Sequence, residues 1–506
     1  MGAAWRAVAA LSAALWSGAA VAQDATLTGR DGGLALSGNL RSYDGEFYRI
    51  DTAYGLLTVD AAGVICTGPA CPALIAPQAK LRIVGAADPG LALLPPLWRA
   101  FARARGLMLA EEGVPGAFRA QLTDPATGQS LADIDFAPFP PEAARLALVE
   151  GRAEMALGSE VPPGVIGRAV GADALVPVVA ADNRLPQART ADLARALAGE
   201  IDNWQGLGGP DMPITVHGLQ EGALRDAVRA RLGRDPAVEV PHRDAELLAA
   251  AVARDPWALA LTAQSRAGAA RVLPLADSCG FPLPATPLAV KAEDYPLTVA
   301  WHILIPRRRL PLIAREFLEF LASDAAQAAV AEAGLIDRRV VQAPLADDGR
   351  RLLGAIRNAG PEVPLAELQR LAAAMEGGDR LSLTLRFDGG SSQLDPQSET
   401  NLSDLARLIA VRAFDGYVLI FAGFSDGSGA AATNLALSRS RAEAVRAALA
   451  RIAPDLAPGE MPGVEAYGEA LPMACDTTPA GRQVNRRVEV WLRPVPDWDG
   501  PRHPRP

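Results

Sequence analysis

The chain has 506 residues, half of them hydrophobic and 21% charged, a balance that supports several buried cores and excludes both a single small binding module and a broadly disordered polymer. Its 49 Lys and Arg against 58 Asp and Glu leave a formal charge of -9, which argues against nucleic acid or an anionic membrane as a general partner, so any anion has to be caught by a local site. Four His and four Cys leave little material for a His-rich metal centre, and neither a metal nor a cofactor is expected.

Residues 1–22 read as an export signal. Arg6 supplies the positive start, residues 7–16 an uncharged run, and Ala20-Val21-Ala22 a small-residue cleavage site before Gln23. The competing reading is a membrane anchor, but Ser12, Ser17 and Gly18 dilute a run already shorter than the roughly 20 apolar residues a spanning helix needs. The first Cys is Cys66, so lipid modification of a new amino terminus is not expected. Export places the cysteines in an oxidising space. Cys66 and Cys71 bracket the turn Thr67-Gly68-Pro69-Ala70, which favours a local disulfide over two reduced thiols. Four cysteines allow three pairings, so a bridge between Cys279 and Cys475 stays open.

Residues 23–77 alternate with period two in short runs such as Leu27-Thr28, Phe47-Tyr48-Arg49-Ile50 and Leu57-Thr58-Val59, separated by Gly-rich turns, and predict a small β domain with no legible chemistry. Residues 78–345 alternate apolar strands with amphipathic helices, beginning with Leu81-Arg82-Ile83-Val84-Gly85 and the helix after it, and predict a two-lobed α/β domain. Residues 346–379 carry the stripe Leu365, Leu368, Leu371, Ala372 and predict a connector helix. Residues 380–494 repeat strand and helix as a separate α+β domain, with Val488, Val490 and Leu492 facing inward against Arg487 and Glu489. The Pro-rich residues 495–506 are expected to be disordered.

The last domain holds the densest pattern. A Gly-rich loop, Gly423-Phe424-Ser425-Asp426-Gly427-Ser428-Gly429, leaves an apolar strand, and a helix follows in which Arg441 falls on the apolar stripe Leu437, Ala444, Ala448. A charge in that stripe needs a partner. Two readings are open from the residues alone: an internal Asp426–Arg441 salt bridge, or two charges flanking a cleft and gripping the ammonium and carboxylate of a zwitterion such as an α-amino acid. These residues, with Asn434-Leu435-Ala436-Leu437-Ser438, Arg441-Ala442, Gly468-Glu469, Pro472 and Asn485-Arg486-Arg487-Val488-Glu489, resemble the OmpA-like peptidoglycan-binding domain in five ordered blocks. The resemblance implies that Asp426 takes the ammonium and Arg441 the carboxylate of diaminopimelate in the stem peptide, that Asn434 adds polar contacts, and that the tether is noncovalent. The Arg486-Arg487 pair reads equally as a cap on the last strand and is left out of the expected site.

Residues 78–345 are similar to periplasmic solute-binding proteins of the phosphate-binding type, on Leu81-Arg82-Ile83-Val84-Gly85, Leu94-Pro95, Ala156-Leu157-Gly158-Ser159, residues 199–204, Ile214-Thr215-Val216-His217 and residues 291–297. That resemblance implies two lobes closing on a ligand. The oxyanion loops are eroded, however: residues 85–90 lack any hydroxyl and carry Asp88, and residues 221–225 keep only Arg225. Ser159 and Arg225 are the remaining candidates for solute contact. No catalytic motif is present. The expectation is therefore a non-enzymatic periplasmic protein of a Gram-negative envelope, peptidoglycan-associated and near the outer membrane. Its middle domain would serve an unidentified small anion, other solute or envelope partner; the alternative is a receptor for phosphate or another anion in ABC-type uptake.

Overall fold

The computed structural model describes residues 25–30, 33–43, 46–68, 70, 71, 78–113, 115–357, 361–387 and 393–496. The expected export signal and most of the expected tail lie outside the described residues.

The first unit is a five-stranded antiparallel sheet ordered Gly55–Asp60, Phe47–Thr52, Ala35–Tyr43, Ala25–Gly29, Val64–Thr67. Period-two alternation puts Leu27, Tyr48, Ile50 and Val64 on one buried face. A disulfide joins Cys66, within the last strand, to Cys71 just beyond it. The sheet rests on the middle domain through Arg315, which donates to Asp60, and through the Arg309 guanidinium over the Phe47 ring at 3.9 Å.

In the middle domain, Ala79–Gly85 pairs in parallel with Ser130–Pro138 and Met155–Gly158 to form the first lobe's sheet. Leu93, Leu94, Leu97, Trp98 and Phe101 recur at helical spacing along Ala87–Arg105 and bury one face of that helix. Gly85, at φ 131°, ends the first strand where a Cβ would lie 2.1 Å from the Leu157 carbonyl oxygen, so only glycine fits. Thr215–Leu219, Val240–His242 and Ala258–Ala263 build the second lobe. The long strand Val165–Val179 links the two, pairing antiparallel with Thr298–Pro306 and then with Ala258–Ala263, with a register shift between Ala169 and Gly171. The class is mixed α/β, as the sequence pattern predicts. Trp204 is a core side chain, whereas Trp257 is exposed.

The last sheet is ordered Gln342–Pro344, Asp379–Arg386, Arg487–Pro494, Tyr417–Gly423, Gly463–Ala466. Leu381, Leu383, Leu385, Val488 and Val490 meet the helices Pro396–Ala410 and Ala431–Ile452 on one face. The other face is also covered. Leu368, Leu371 and Met375 of the helix Leu365–Met375 pack with Ile420, Phe424 and Trp491, so the segment read as a connector forms a second layer of this sheet, with Leu365 exposed. Arg487 and Glu489 are consequently buried rather than solvated, paired at 2.8 Å, with Arg351 and Arg380 also against Glu489. Burial pulls the Arg487 guanidinium down to about 10 even beside that carboxylate.

The last domain is bolted to the middle one. Cys279 and Cys475 form a disulfide across 196 positions, and Asp277 accepts from the Cys279 and Cys475 amides on either side of it. Asp294 accepts from Arg380 at 2.7 Å and from Arg386 at 2.9 Å.

Candidate functional site

Five separated sequence blocks converge at the carboxyl end of Tyr417–Gly423. The Phe424 amide donates to the Arg487 carbonyl, the Ser425 amide to Gly468, and the Tyr467 amide to Gly423. The Ser438 hydroxyl accepts from the Gly468 amide at 3.0 Å, tying the loop to the helix. A Cβ on Gly423 would lie 2.1 Å from the Ser438 carbonyl oxygen, so strand and helix approach closely only because this position is glycine.

Asp426 emerges from this frame largely buried. One carboxylate oxygen accepts from Arg486 at 2.7 Å and the other from the Ser428 amide at 3.0 Å. Burial raises its pKa, but the Arg486 guanidinium and the Ser428 amide outweigh burial and hold the carboxyl below its ordinary range.

Arg441 is 7% exposed. Its Nε and Nη1 are buried without a hydrogen-bond partner among the described residues, and its guanidinium lies 5.7 Å from the centre of the Phe387 ring. Burial lowers its pKa first, the neighbouring Arg486 lowers it further, and Asp426 opposes both. Asp426 therefore feels Arg441 but forms its ion pair with Arg486, the residue left out of the expected site. No sequence signal separates Arg486 from Arg487: only the sheet shows that Arg487 turns into the core and Arg486 toward the loop.

Asn434 is buried on the same helix and faces Glu469, whose carboxyl is raised first by burial and then by Glu362, Asp476 and Asp426, with Asn434 opposing. Glu362 also accepts from the Ala431 amide at 3.3 Å, and Asp476 accepts from the Gly427 amide at 2.7 Å. The buried stripe of the helix runs through Asn434, Ser438, Arg441, Ala442, Val445 and Leu449. Leu437 is 42% exposed and does not belong to it; the packed face is polar at its first two turns because it lines the site. Among the described residues, the arrangement sets a guanidinium with no partner at Nε and Nη1 beside a carboxylate held by a second cation.

Residues 386–486 match the OmpA family. This segment is an OmpA family domain. Over 111 residues the chain is 36% identical to outer membrane porin F of Pseudomonas fluorescens, covering 22% of this chain and 32% of that one. Over 104 residues it is 35% identical to outer membrane protein A of Bordetella avium, covering 21% and 51%. The chain thus spans between a third and about half of these curated relatives. In solved structures, the chain is similar to a Clostridium perfringens protein with bound phosphate, at 18% identity and TM-score 0.41 over 51% of this chain and all of that one. A Vibrio cholerae ABC-type phosphate transport receptor is similar at 16% identity and TM-score 0.41, over 51% and 99%.

Outside the OmpA domain, Ser159 follows Met155–Gly158 in the first lobe and Arg225 sits at the start of Ala223–Leu232 in the second. Arg225 is engaged by Asp235 at 2.9 Å. Asp88 occupies the first turn of Ala87–Arg105, and its carboxyl is raised by burial and by Asp244 and Glu246 across the lobes, with Arg266 opposing. His217 is hydrogen-bonded to His242 at 3.0 Å and Asp255 at 3.2 Å.

Proposed function

We propose that the OmpA domain tethers this protein noncovalently to peptidoglycan in the periplasm, with Arg441 taking the carboxylate and Asp426 the ammonium of the diaminopimelate centre and Asn434 adding a polar contact. The observation that carries the reading is the Arg441 guanidinium, buried with two N–H groups unpartnered among the described residues. Leaving such donors unsatisfied is costly, and a planar carboxylate is the group that pairs with a guanidinium fork through two bonds. No step of this binding calls for bond cleavage. The two lobes of the middle domain serve a small solute or an envelope partner carried at the cell wall. The test is cosedimentation of the full chain with purified diaminopimelate-type sacculi. Arg441→Ala is expected to remove about 2–5 kcal/mol of binding, which abolishes retention at micromolar protein, and Asp426→Ala to weaken retention by less. Retention unchanged in both variants overturns the reading.

A further inference from the structure

The two halves of this site are in different states. Arg441 is open: its Nε and Nη1 have no partner among the described residues. Asp426 is closed, one oxygen held by Arg486 at 2.7 Å and the other by the Ser428 amide at 3.0 Å. Its cationic partner is not built into the core. The Arg486 side chain is 22% exposed and stands at the end of the short helix Pro479–Asn485, where its other anchor is the side-chain oxygen of Gln483. Its neighbour Arg487 is fully buried and fixed by Glu489 and by the Leu471 carbonyl. Arg486 can withdraw toward solvent; Arg487 cannot.

We propose that Arg486 is an internal occupant of the ammonium half of the site, a latch on Asp426 that an incoming ligand has to displace. The inference rests on the reading of Asp426 and Arg441 as ligand groups and adds the order in which the ligand's two charges are read. A carboxylate reaching Arg441 meets a guanidinium whose Nε and Nη1 have no hydrogen-bond partner among the described residues, so it gains at once. An ammonium reaching Asp426 exchanges one charge-assisted bond for another, so its net gain is small. The carboxylate supplies most of the affinity, and while Arg486 holds Asp426 the ammonium adds little discrimination against ligands that lack it. A ligand with carboxylate and no ammonium is accordingly tolerated in the native protein and rejected once the latch is gone.

The experiment is calorimetric titration of the full chain with meso-diaminopimelate and, separately, with pimelate, which keeps the terminal carboxylates and lacks both amines. Arg486→Gln is expected to tighten diaminopimelate binding by about tenfold, the order of one charge-assisted hydrogen bond, and to raise the preference for diaminopimelate over pimelate. Gln483→Glu, which draws the Arg486 guanidinium away from Asp426 while keeping it in the chain, is expected to move both quantities the same way. Weaker diaminopimelate binding in Arg486→Gln, or an unchanged preference in both variants, overturns the latch. If Arg441→Ala abolishes diaminopimelate binding and Asp426→Ala weakens it while Arg486→Gln fails to strengthen it, the latch alone falls. If those two alanine variants bind as the native protein does, the reading of the site falls with it.

Discussion

Arg380 of the last sheet donates to Asp294 of the middle domain at 2.7 Å, and both side chains are 2% exposed. Arg386, six residues further along the same strand, reaches the other oxygen of that carboxylate at 2.9 Å. Asp294 thus bridges two buried cations of the next domain, with Glu489 also beside Arg380 and Glu293 beside Arg386.

Removing that acid leaves two guanidiniums buried with less than their share of negative charge. Asp294→Ala is expected to lower stability by about 3–5 kcal/mol, measured as the shift in the urea midpoint of the full chain. A midpoint equal to that of the native protein refutes this role.

The Cys279–Cys475 bridge acts on the same junction and on the site. Asp476, next to Cys475, accepts from the Gly427 amide at 2.7 Å and from the Asn485 side-chain amide at 2.6 Å, so the cysteine loop borders the Gly-rich loop of the candidate site. The Cys279→Ser, Cys475→Ser double variant is expected to lose about 2–4 kcal/mol of stability and to be retained less well by sacculi. The Cys66→Ser, Cys71→Ser pair, which opens a bridge between residues only 5 positions apart, is expected to leave retention unchanged.

Acid should act on the site in a defined order. Asp426 is held below its ordinary value, burial being outweighed by Arg486 and Ser428. A carboxyl depressed in the folded state contributes stability that is complete above its unfolded value, about 4, and is lost as pH falls through the lower folded value. Glu469, raised by burial and by Glu362, Asp476 and Asp426, has the opposite sign: stability falls as pH rises from its unfolded to its folded value. The loss on acidification below about pH 4 should therefore shrink in Asp426→Asn, measured as urea stability at stepped pH. An identical acid limb in that variant contradicts the assignment.

Phosphate is expected to leave the unfolding midpoint of the full chain unmoved at millimolar concentration. Asp88 stands at the helix start where an anion would dock, and Arg225 is engaged by Asp235, so an oxyanion meets repulsion where it needs free amides and a free cation. A concentration-dependent rise in the midpoint would restore the uptake-receptor reading.

Much of this was legible residue by residue. The spacing of Asp426, Asn434 and Arg441 on a strand end and the helix after it is a local property, and so is the alternation that buries Leu27, Ile83 or Val490. Arg441 reads as a charge in a buried face from helical period alone. Of the residues at that spacing Arg441 and Ala448 are buried while Leu437 is exposed, because the first turns of a face lining a polar site are marked by Asn434 and Ser438 rather than by apolar residues.

Sequence by itself determined the order of strands and helices, the mixed α/β class and the pair of charges around the Gly-rich loop, since all three depend on neighbours within a few turns of chain. The tertiary structure alone decided which cation Asp426 holds, that Cys279 meets Cys475, and that Arg487 and Glu489 lie inside a sheet covered on both faces. The reason is physical: a partner 60 or 196 positions away is chosen by packing of whole layers, and the second layer here comes from a helix whose apolar stripe does not say which sheet it covers.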